Sequence, residues 1–186
     1  MDSFYSPEEL KTLGLKEYGE DVRISRKCSI YGAGNIRLGS HVRIDDFCLL
    51  SGKISLGSYV HIAAGAMLFG GEAGIRFGDY STISSRGAVY ALSDDYSGEH
   101  MTNPTVPEKY TAVVEAPVEI GAHCIIGTGC TVLPGVSLGE GCSVGAMRLI
   151  NKSLPPWGIY AGIPARRLKE RSRKLLDLCR ELESNN

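Results

Sequence analysis

The residues best suited to proton transfer lie in one short region near the middle of the chain. Asp94, Asp95 and His100 stand close together, and Ser84 comes shortly before them. A carboxylate can orient an amine and accept its proton, whereas a hydroxyl requires a stronger base, such as a histidine with a pKa of about 7. The ordinary alternatives are an Asx turn for the two aspartates and a solvated surface position for His100. These four residues are therefore the candidate catalytic groups.

The element that must position these groups is a repeat in which an aliphatic residue recurs at every sixth position. Its main members are Leu38, Ile44, Leu50, Leu56, Ile62, Leu68, Ile120, Ile126, Val132, Leu138, Val144 and Ile150. A period of six fits neither an α-helix nor an ordinary hairpin. It fits an all-β solenoid in which each hexad forms a short strand and a tight corner, with three hexads to a coil. About 17 hexads predict a parallel β-helix of five to six coils.

Five of the six cysteines follow the rhythm of the repeat. Each lies four residues after a repeat aliphatic, at a second inward position that requires a small apolar side chain; they are Cys28, Cys48, Cys124, Cys130 and Cys142. Free cysteine serves well at such a position. We therefore interpret these cysteines as core residues rather than as metal ligands or disulfide partners.

The repeat is interrupted most strongly at residues 93–117, which contain three of the eight prolines. A loop of this length with full hexads on both sides is more often functional than disordered. The predicted organisation is a short N-terminal helical segment at 1–20, the β-helix at 21–155, and a C-terminal extension at 156–186 with a helix over Pro164–Glu183.

Composition excludes several classes of protein. The formal net charge is −1, so nothing suggests binding to nucleic acid or to an acidic membrane surface. No apolar run approaches the length that spans a bilayer, and the first residues lack the apolar segment of a signal peptide. We expect a cytoplasmic protein.

Several motifs resemble those of the left-handed β-helix acetyltransferases. The most specific is the closing stretch Leu154–Arg166, which has two prolines, an apolar run, and Gly-x-Pro-Ala followed by a basic residue. Within that family the chain is most similar to the viosamine-type acyltransferases, which acetylate nucleotide-linked 4-amino-4,6-dideoxy sugars. The matching segments are Ser3–Leu10, Val42–Cys48, His61–Ala64 and Asp94–Gly98.

The resemblance implies a left-handed coil, a homotrimer with active sites between subunits, acetyl-CoA as cosubstrate, and no metal. It implies acetylation of the amino group of a dTDP-, UDP- or GDP-linked amino-deoxy sugar in surface polysaccharide (O-antigen or capsule) biosynthesis. On matching positions, it places the pantetheine amides of CoA on Gly127, Thr128, Gly145 and Ala146, and the CoA phosphates on Lys152, Arg166 and Arg167.

Two other functions stay open. His100 is compatible with a sugar or xenobiotic O-acetyltransferase of the galactoside, maltose or streptogramin type, although the Asp94-Asp95 pair favours transfer to an amine. A non-catalytic scaffold is the second alternative, although it would require neither the long loop nor the C-terminal motif. One residue departs from the family pattern, because Arg148 stands at an inward position where small residues are usual.

Overall fold

The period of six forms a parallel β-helix in a computed structural model that describes residues 3–185. Met1 and Asp2, which begin the predicted N-terminal segment, and Asn186, which ends the C-terminal one, lie outside the described residues. In chain order the strands are β1 (Glu17–Tyr18), β2 (Arg23–Ile24), β3 (Ser29–Tyr31), β4 (Ile36–Leu38), β5 (Arg43–Ile44), β6 (Leu49–Leu56), β7 (His61–Ile62), β8 (Met67–Phe77), β9 (Thr82–Ile83), β10 (Ala88–Tyr90), β11 (Leu92–Ser93), β12 (Val114–Glu115), β13 (Val118–Ile120), β14 (Ile125–Ile126), β15 (Thr131–Val132), β16 (Ser137–Leu138), β17 (Ser143–Val144), β18 (Leu149–Ile150), β19 (Gly158–Ala161) and β20 (Arg166–Glu170).

These strands form three parallel faces. The first face stacks β2, β5, β7, β9, β14, β17 and β19. The second face runs through β1, β4, the later halves of β6 and β8, β13 and β16, and the third through β3, the earlier halves of β6 and β8, β10, β15 and β18. Because the first face has seven parallel strands, the solenoid has about seven turns rather than the five to six predicted. The difference arises at the ends, where β1 and β19 extend the stack beyond the regular hexads.

The repeat aliphatics fill the interior, as predicted. Ile44, Ile62, Ile83 and Ile126 are completely buried. Cys48, Cys124, Cys130 and Cys142 are buried beside them, Cys28 packs against the same core, and all six cysteines are free. The interior is therefore a stack of aliphatic and thiol layers, and it contributes rigidity rather than chemistry.

Both ends of the solenoid are covered by non-repeat segments. At the N-terminal end, helix α1 (Pro7–Thr12) begins at a capping box formed by Ser6 and Glu9, and it buries Leu10 against the first coil. At the C-terminal end, the predicted helix over Pro164–Glu183 is wrong in its first half. Arg166–Glu170 instead form β20, which pairs antiparallel with β19, and helix α2 spans only Leu175–Ser184. The exposed edge of β19 requires backbone partners, and this requirement overrides the helix propensity of the basic segment.

The long loop leaves and re-enters the solenoid through a short antiparallel ladder. Leu92 pairs with Glu115 and Ser93 with Val114, so β11 and β12 fix the two ends of the loop. A single 3-10 turn, Glu108–Tyr110, lies within it. The loop therefore has a defined base on the solenoid, at the far end of the third face.

Candidate active site

One corner of the solenoid, between the first and third faces, is lined with small residues. We call Ala63, Ser84, Gly127 and Gly145 the small-residue corner, since each directly follows the aliphatic residue of a first-face strand. The Ser84 N–H donates to the Ile126 carbonyl at 2.8 Å and the Gly127 N–H to the Val144 carbonyl at 2.9 Å. These bonds stack Ser84 directly beneath Gly127 and Gly127 beneath Gly145.

Steric constraints exclude a side chain at one position of this corner, Gly127. A Cβ placed on Gly127 would lie 2.6 Å from the backbone nitrogen of Ala146, closer than real Cβ contacts allow. Beside it, the hydroxyls of Thr128 and Ser85 are 3.4 Å apart. A slender ligand can therefore approach the backbone closely along this line. The structure thus brings the predicted pantetheine residues Gly127, Thr128, Gly145 and Ala146 into one column with Ser84.

Of the predicted phosphate-binding cations, Arg166 lies at the upper end of the same corner, whereas Lys152 follows β18 at the corner between the third and second faces. The Ala165 N–H donates to the Leu149 carbonyl at 2.9 Å, which holds Arg166 beside the last regular strand. Arg167 pairs with Glu170 at 2.7 Å, whereas Lys152 and Arg166 form no ion pair within residues 3–185. Arg166 is therefore the exposed cation without an ion pair that is available to an anionic ligand at the upper end of the small-residue corner.

Asp95 organises the start of the loop. Its carboxylate accepts hydrogen bonds from the Ser97 N–H (2.8 Å), the Ser97 hydroxyl (2.9 Å) and the His100 N–H (3.0 Å), and it lies 3.2 Å from His100 Nδ1. These bonds, led by those from Ser97, lower the pKa of Asp95 to about 2. A carboxylate with so low a pKa is a weak base. Asp95 and His100 therefore form a structural turn, as the ordinary interpretation of the sequence allowed.

Asp94 differs from its neighbour. Its side chain accepts no hydrogen bond from the described part of the chain, and it lies at the wall of a pocket of about 770 Å³ between the loop and the third face. The pocket is mostly apolar; its walls include Phe69, Tyr90, Leu92, Tyr96, Val106, Val113, Leu133 and Pro134. Asp94 and Glu108 are the charged side chains that line it, and no Lys or Arg does. His100 and Asp95 are not part of its lining.

Two aromatic residues form the floor of this pocket, and our interpretation of the sequence missed them. Phe69 and Tyr90 occupy matching positions on β8 and β10, and their rings stack with centroids 4.9 Å apart. Their position in the hexad could have revealed them, because each directly follows a repeat aliphatic, Leu68 or Val89. Side chains in that position point outward, so two aromatics there predict an exposed stacking surface.

Within one chain, Asp94 and Ser84 lie at opposite ends of the third face. Ser84 precedes β10, and Asp94 follows β11. The extended residues between them span on the order of 20 Å at ~3.3 Å per residue. A single chain therefore separates the carboxylate of the loop pocket from the small-residue corner.

Comparison with known proteins agrees with this geometry. Residues 117–146 match the model of the hexapeptide repeat of succinyl-transferases. An Escherichia coli dTDP-4-amino-4,6-dideoxy-D-glucose acyltransferase is 44% identical over 173 residues, which cover 91% of this chain and 90% of that protein. The chain belongs to the hexapeptide-repeat acyltransferases. The all-β fold, the repeat and the enzyme class predicted from the sequence are thereby confirmed.

Solved structures of another hexapeptide-repeat acyltransferase superimpose on the whole chain. AntD, an N-acyltransferase from Bacillus cereus, is 48% identical with complete coverage of both chains. Its D94A variant has been crystallised with dTDP and CoA (TM-score 0.98). Its S84C variant has been crystallised with dTDP-4-amino-4,6-dideoxyglucose and CoA (TM-score 0.97). A further AntD complex contains dTDP and 3-hydroxybutyryl-CoA (TM-score 0.97, 49% identity, covering 100% of this chain and 98% of AntD).

Two further properties of this acyltransferase concern metals and membranes. Within residues 3–185 there is no group of three or more His, Cys, Asp or Glu side chains placed to hold a metal ion. In the same residues, no helix is both long enough and apolar enough to cross a bilayer.

Proposed function

We propose that this acyltransferase transfers an acyl group from acyl-CoA to the 4-amino group of a dTDP-linked 4-amino-4,6-dideoxy sugar. Acetyl-CoA is the first donor to test. The observation that carries the proposal is the Asp94 carboxylate, which faces a largely apolar pocket with no hydrogen bond from its own chain. The full-length similarity to AntD and to the E. coli enzyme supports the same substrate class. We place the reaction in the cytoplasm and in the synthesis of surface polysaccharide.

The pocket suits an amino-deoxy sugar better than a simple sugar. Its apolar walls match the methyl group of a 6-deoxy sugar, and the stacked Phe69 and Tyr90 rings offer a surface for a sugar or base. The lining contains carboxylates without cations, so it favours a positively charged amine over an anion. A diphosphate would have to lie outside this pocket.

The reaction requires one bond to form and one to break. The uncharged amine nitrogen attacks the thioester carbonyl carbon, the carbon–sulfur bond breaks, and CoA leaves as a thiol. The proton lost by the amine offsets the proton gained by sulfur. In the proposed site Asp94 orients the amine and accepts or relays its proton, and Ser84 is a second hydrogen-bonding group near the thioester. AntD has been crystallised with substitutions at a Ser and an Asp that carry the same numbers, 84 and 94, and this supports a functional role for both positions.

The donor is proposed to lie along the small-residue corner. The thioester would face Ser84, the pantetheine arm would contact Gly127, Thr128, Gly145 and Ala146, and the phosphates would meet Lys152, Arg166 and Arg167. An ordered column of backbone groups with only small side chains beside it suits a long, flexible arm that carries amides. Of the three cations, Arg166 is the strongest candidate, because Glu170 already pairs with Arg167 and Lys152 lies at a different corner.

A complete site requires more than one chain. Because Ser84 and Asp94 lie on the order of 20 Å apart along one face, we propose a homotrimer in which the loop of one subunit brings Asp94 to the small-residue corner of the next. Closed cyclic symmetry gives three equal sites of this kind.

The direct test is a thiol-release assay with acetyl-CoA and 3-hydroxybutyryl-CoA against a panel of nucleotide-linked amino sugars and their hydroxyl counterparts. The proposal predicts activity with the dTDP-linked 4-amino sugar, a loss of roughly 10²–10⁴-fold in kcat for Asp94→Asn, and near-full activity for His100→Ala. Acetylation of the hydroxyl sugars that disappears in His100→Ala would instead support the O-acetyltransferase. Failure of the wild-type protein to release thiol or to bind CoA would favour the scaffold.

A further inference from the structure

One inward position of the solenoid carries a charged residue. The equivalent positions of other coils hold small buried side chains, namely Cys124, Cys130, Val136 and Cys142. Arg148 stacks one coil above Cys130, and the Thr131 N–H donates to the Arg148 carbonyl at 2.8 Å, so the backbone remains in register. The coil therefore accommodates an arginine where the pattern calls for a residue the size of cysteine.

The guanidinium of Arg148 has no partner in the described residues. Its Nε atom is buried and makes no hydrogen bond, and it is the single buried side-chain nitrogen or oxygen in residues 3–185 with that property. Arg171 shows what a structural arginine does nearby, because it donates from Nη1 to the carbonyls of His123 (2.6 Å) and Gly141 (3.1 Å). Arg148 as a whole is only partly buried, but a buried N–H group without a partner destabilises a fold. Arg148 is therefore not explained by folding.

The position of Arg148 joins the two halves of the proposed donor site. A Cβ built on Gly145, which belongs to the small-residue corner, would lie 3.7 Å from Arg148 Nε. On the other side, the residue after Arg148 accepts the hydrogen bond that anchors Ala165 and so positions Arg166. Arg148 thus lies between the small-residue corner and the exposed Arg166 at the end of the solenoid.

We propose that Arg148 binds the diphosphate of CoA at the point where the pantetheine arm meets the nucleotide. This inference rests on the proposed function, since it takes acyl-CoA as the donor. A guanidinium is a planar set of donors that matches phosphate oxygens in a bidentate arrangement, and it retains its charge when partly buried. Bound phosphate oxygens would supply the acceptors that the folded chain does not offer to this side chain.

The experiment uses Arg148→Met, which keeps an unbranched apolar stem and removes the donors. Arg148→Lys keeps the charge without the planar fork. Arg180→Met is the matched control, because Arg180 lies on the exposed side of α2 and pairs with Asp177. Binding of CoA and 3′-dephospho-CoA to each full-length protein is measured by calorimetry, and binding of pantetheine is measured by its competition with CoA. Melting temperatures without ligand are recorded for every variant.

The proposal predicts that Arg148→Met weakens CoA and 3′-dephospho-CoA equally, by roughly ten- to a hundred-fold, the loss expected for a charged hydrogen-bonding group. Pantetheine affinity and the behaviour of Arg180→Met should be unchanged, Arg148→Lys should fall between, and the ligand-free melting temperature of Arg148→Met should be equal to or above that of the wild type. Unchanged CoA affinity would overturn the proposal. So would an equal loss for all three ligands with a lower melting temperature, or a loss that vanishes with 3′-dephospho-CoA. If the wild type binds no CoA, the proposed function itself fails.

Discussion

The separation of Ser84 from Asp94 makes subunit complementation a sharp test of the assembled site. Two variants are required, Ser84→Ala and Asp94→Asn, each carrying a different affinity tag. Neither side chain belongs to the buried apolar core. We expect both homo-oligomers to fold with wild-type melting temperatures, because surface substitutions away from caps and cores change stability by less than about 0.5 kcal/mol.

The expected activity follows from the geometry of a cyclic trimer. If each site takes Ser84 from one subunit and Asp94 from its neighbour, a mixed trimer has one site with both residues intact, one with a single defect and one with both defects. Tandem purification on the two tags isolates mixed trimers, which should therefore show about one third of wild-type activity. Each variant alone should show only the background expected after a loss of roughly 10²-fold or more.

The assay is thiol release with saturating acyl-CoA and the dTDP-linked 4-amino sugar, and the variants are co-expressed so that trimers form during synthesis. Sedimentation first establishes the oligomeric state. If mixed oligomers are no more active than the single variants, then both residues act within one chain or one of them has no role. Either outcome would refute the shared site inferred from the separation of about 20 Å between them along the third face.

The remaining predictions concern the core and the loop. Ile126→Ala should lower the free energy of unfolding by about 2–5 kcal/mol, because Ile126 is completely buried. Ile125→Ala, one residue away on the outer surface, should cost less than about 1 kcal/mol in the same urea titration. Asp95→Ala should expose the loop to proteolysis without changing the melting of the solenoid. The pKa of Asp95 is lowered to about 2, so the stabilisation of the loop by its carboxylate should be fully present above about pH 4. This stabilisation should be lost as the pH falls towards 2, and faster cleavage of the loop by pepsin would detect the loss.

The solenoid was predictable from the sequence because one physical requirement repeats along it. Each short strand must place an aliphatic side chain in the interior, and Ile44, Leu50 and Leu56 are buried at successive intervals of six residues. The cysteines at the second inward position follow from the same requirement. The count of turns came out too low because β19 is held by pairing with β17 and β20, not by another hexad.

The loop pocket was predictable only in part. The break in the repeat located the loop, and Asp94 stood out by residue type. The distinction between Asp94 and Asp95 was not accessible, because it depends on which carboxylate the Ser97 and His100 backbone amides reach. The antiparallel pairing of β11 with β12 was also not accessible, since two-residue strands carry no periodic signal.

The two parts of the proposed site differ in how they can change. The small-residue corner is fixed by strand spacing, because a side chain on Gly127 would collide with the backbone of the next coil. A loop closed by a short ladder carries no such constraint, and lengthening it costs little free energy, roughly 0.6 kcal/mol for each doubling. Residues 94–113 can therefore vary to fit another acceptor while the small-residue corner that is proposed to bind the donor stays unchanged. Acceptor specificity should then reside in the loop and in the outward pair Phe69 and Tyr90, and donor affinity in the corner and in Arg148.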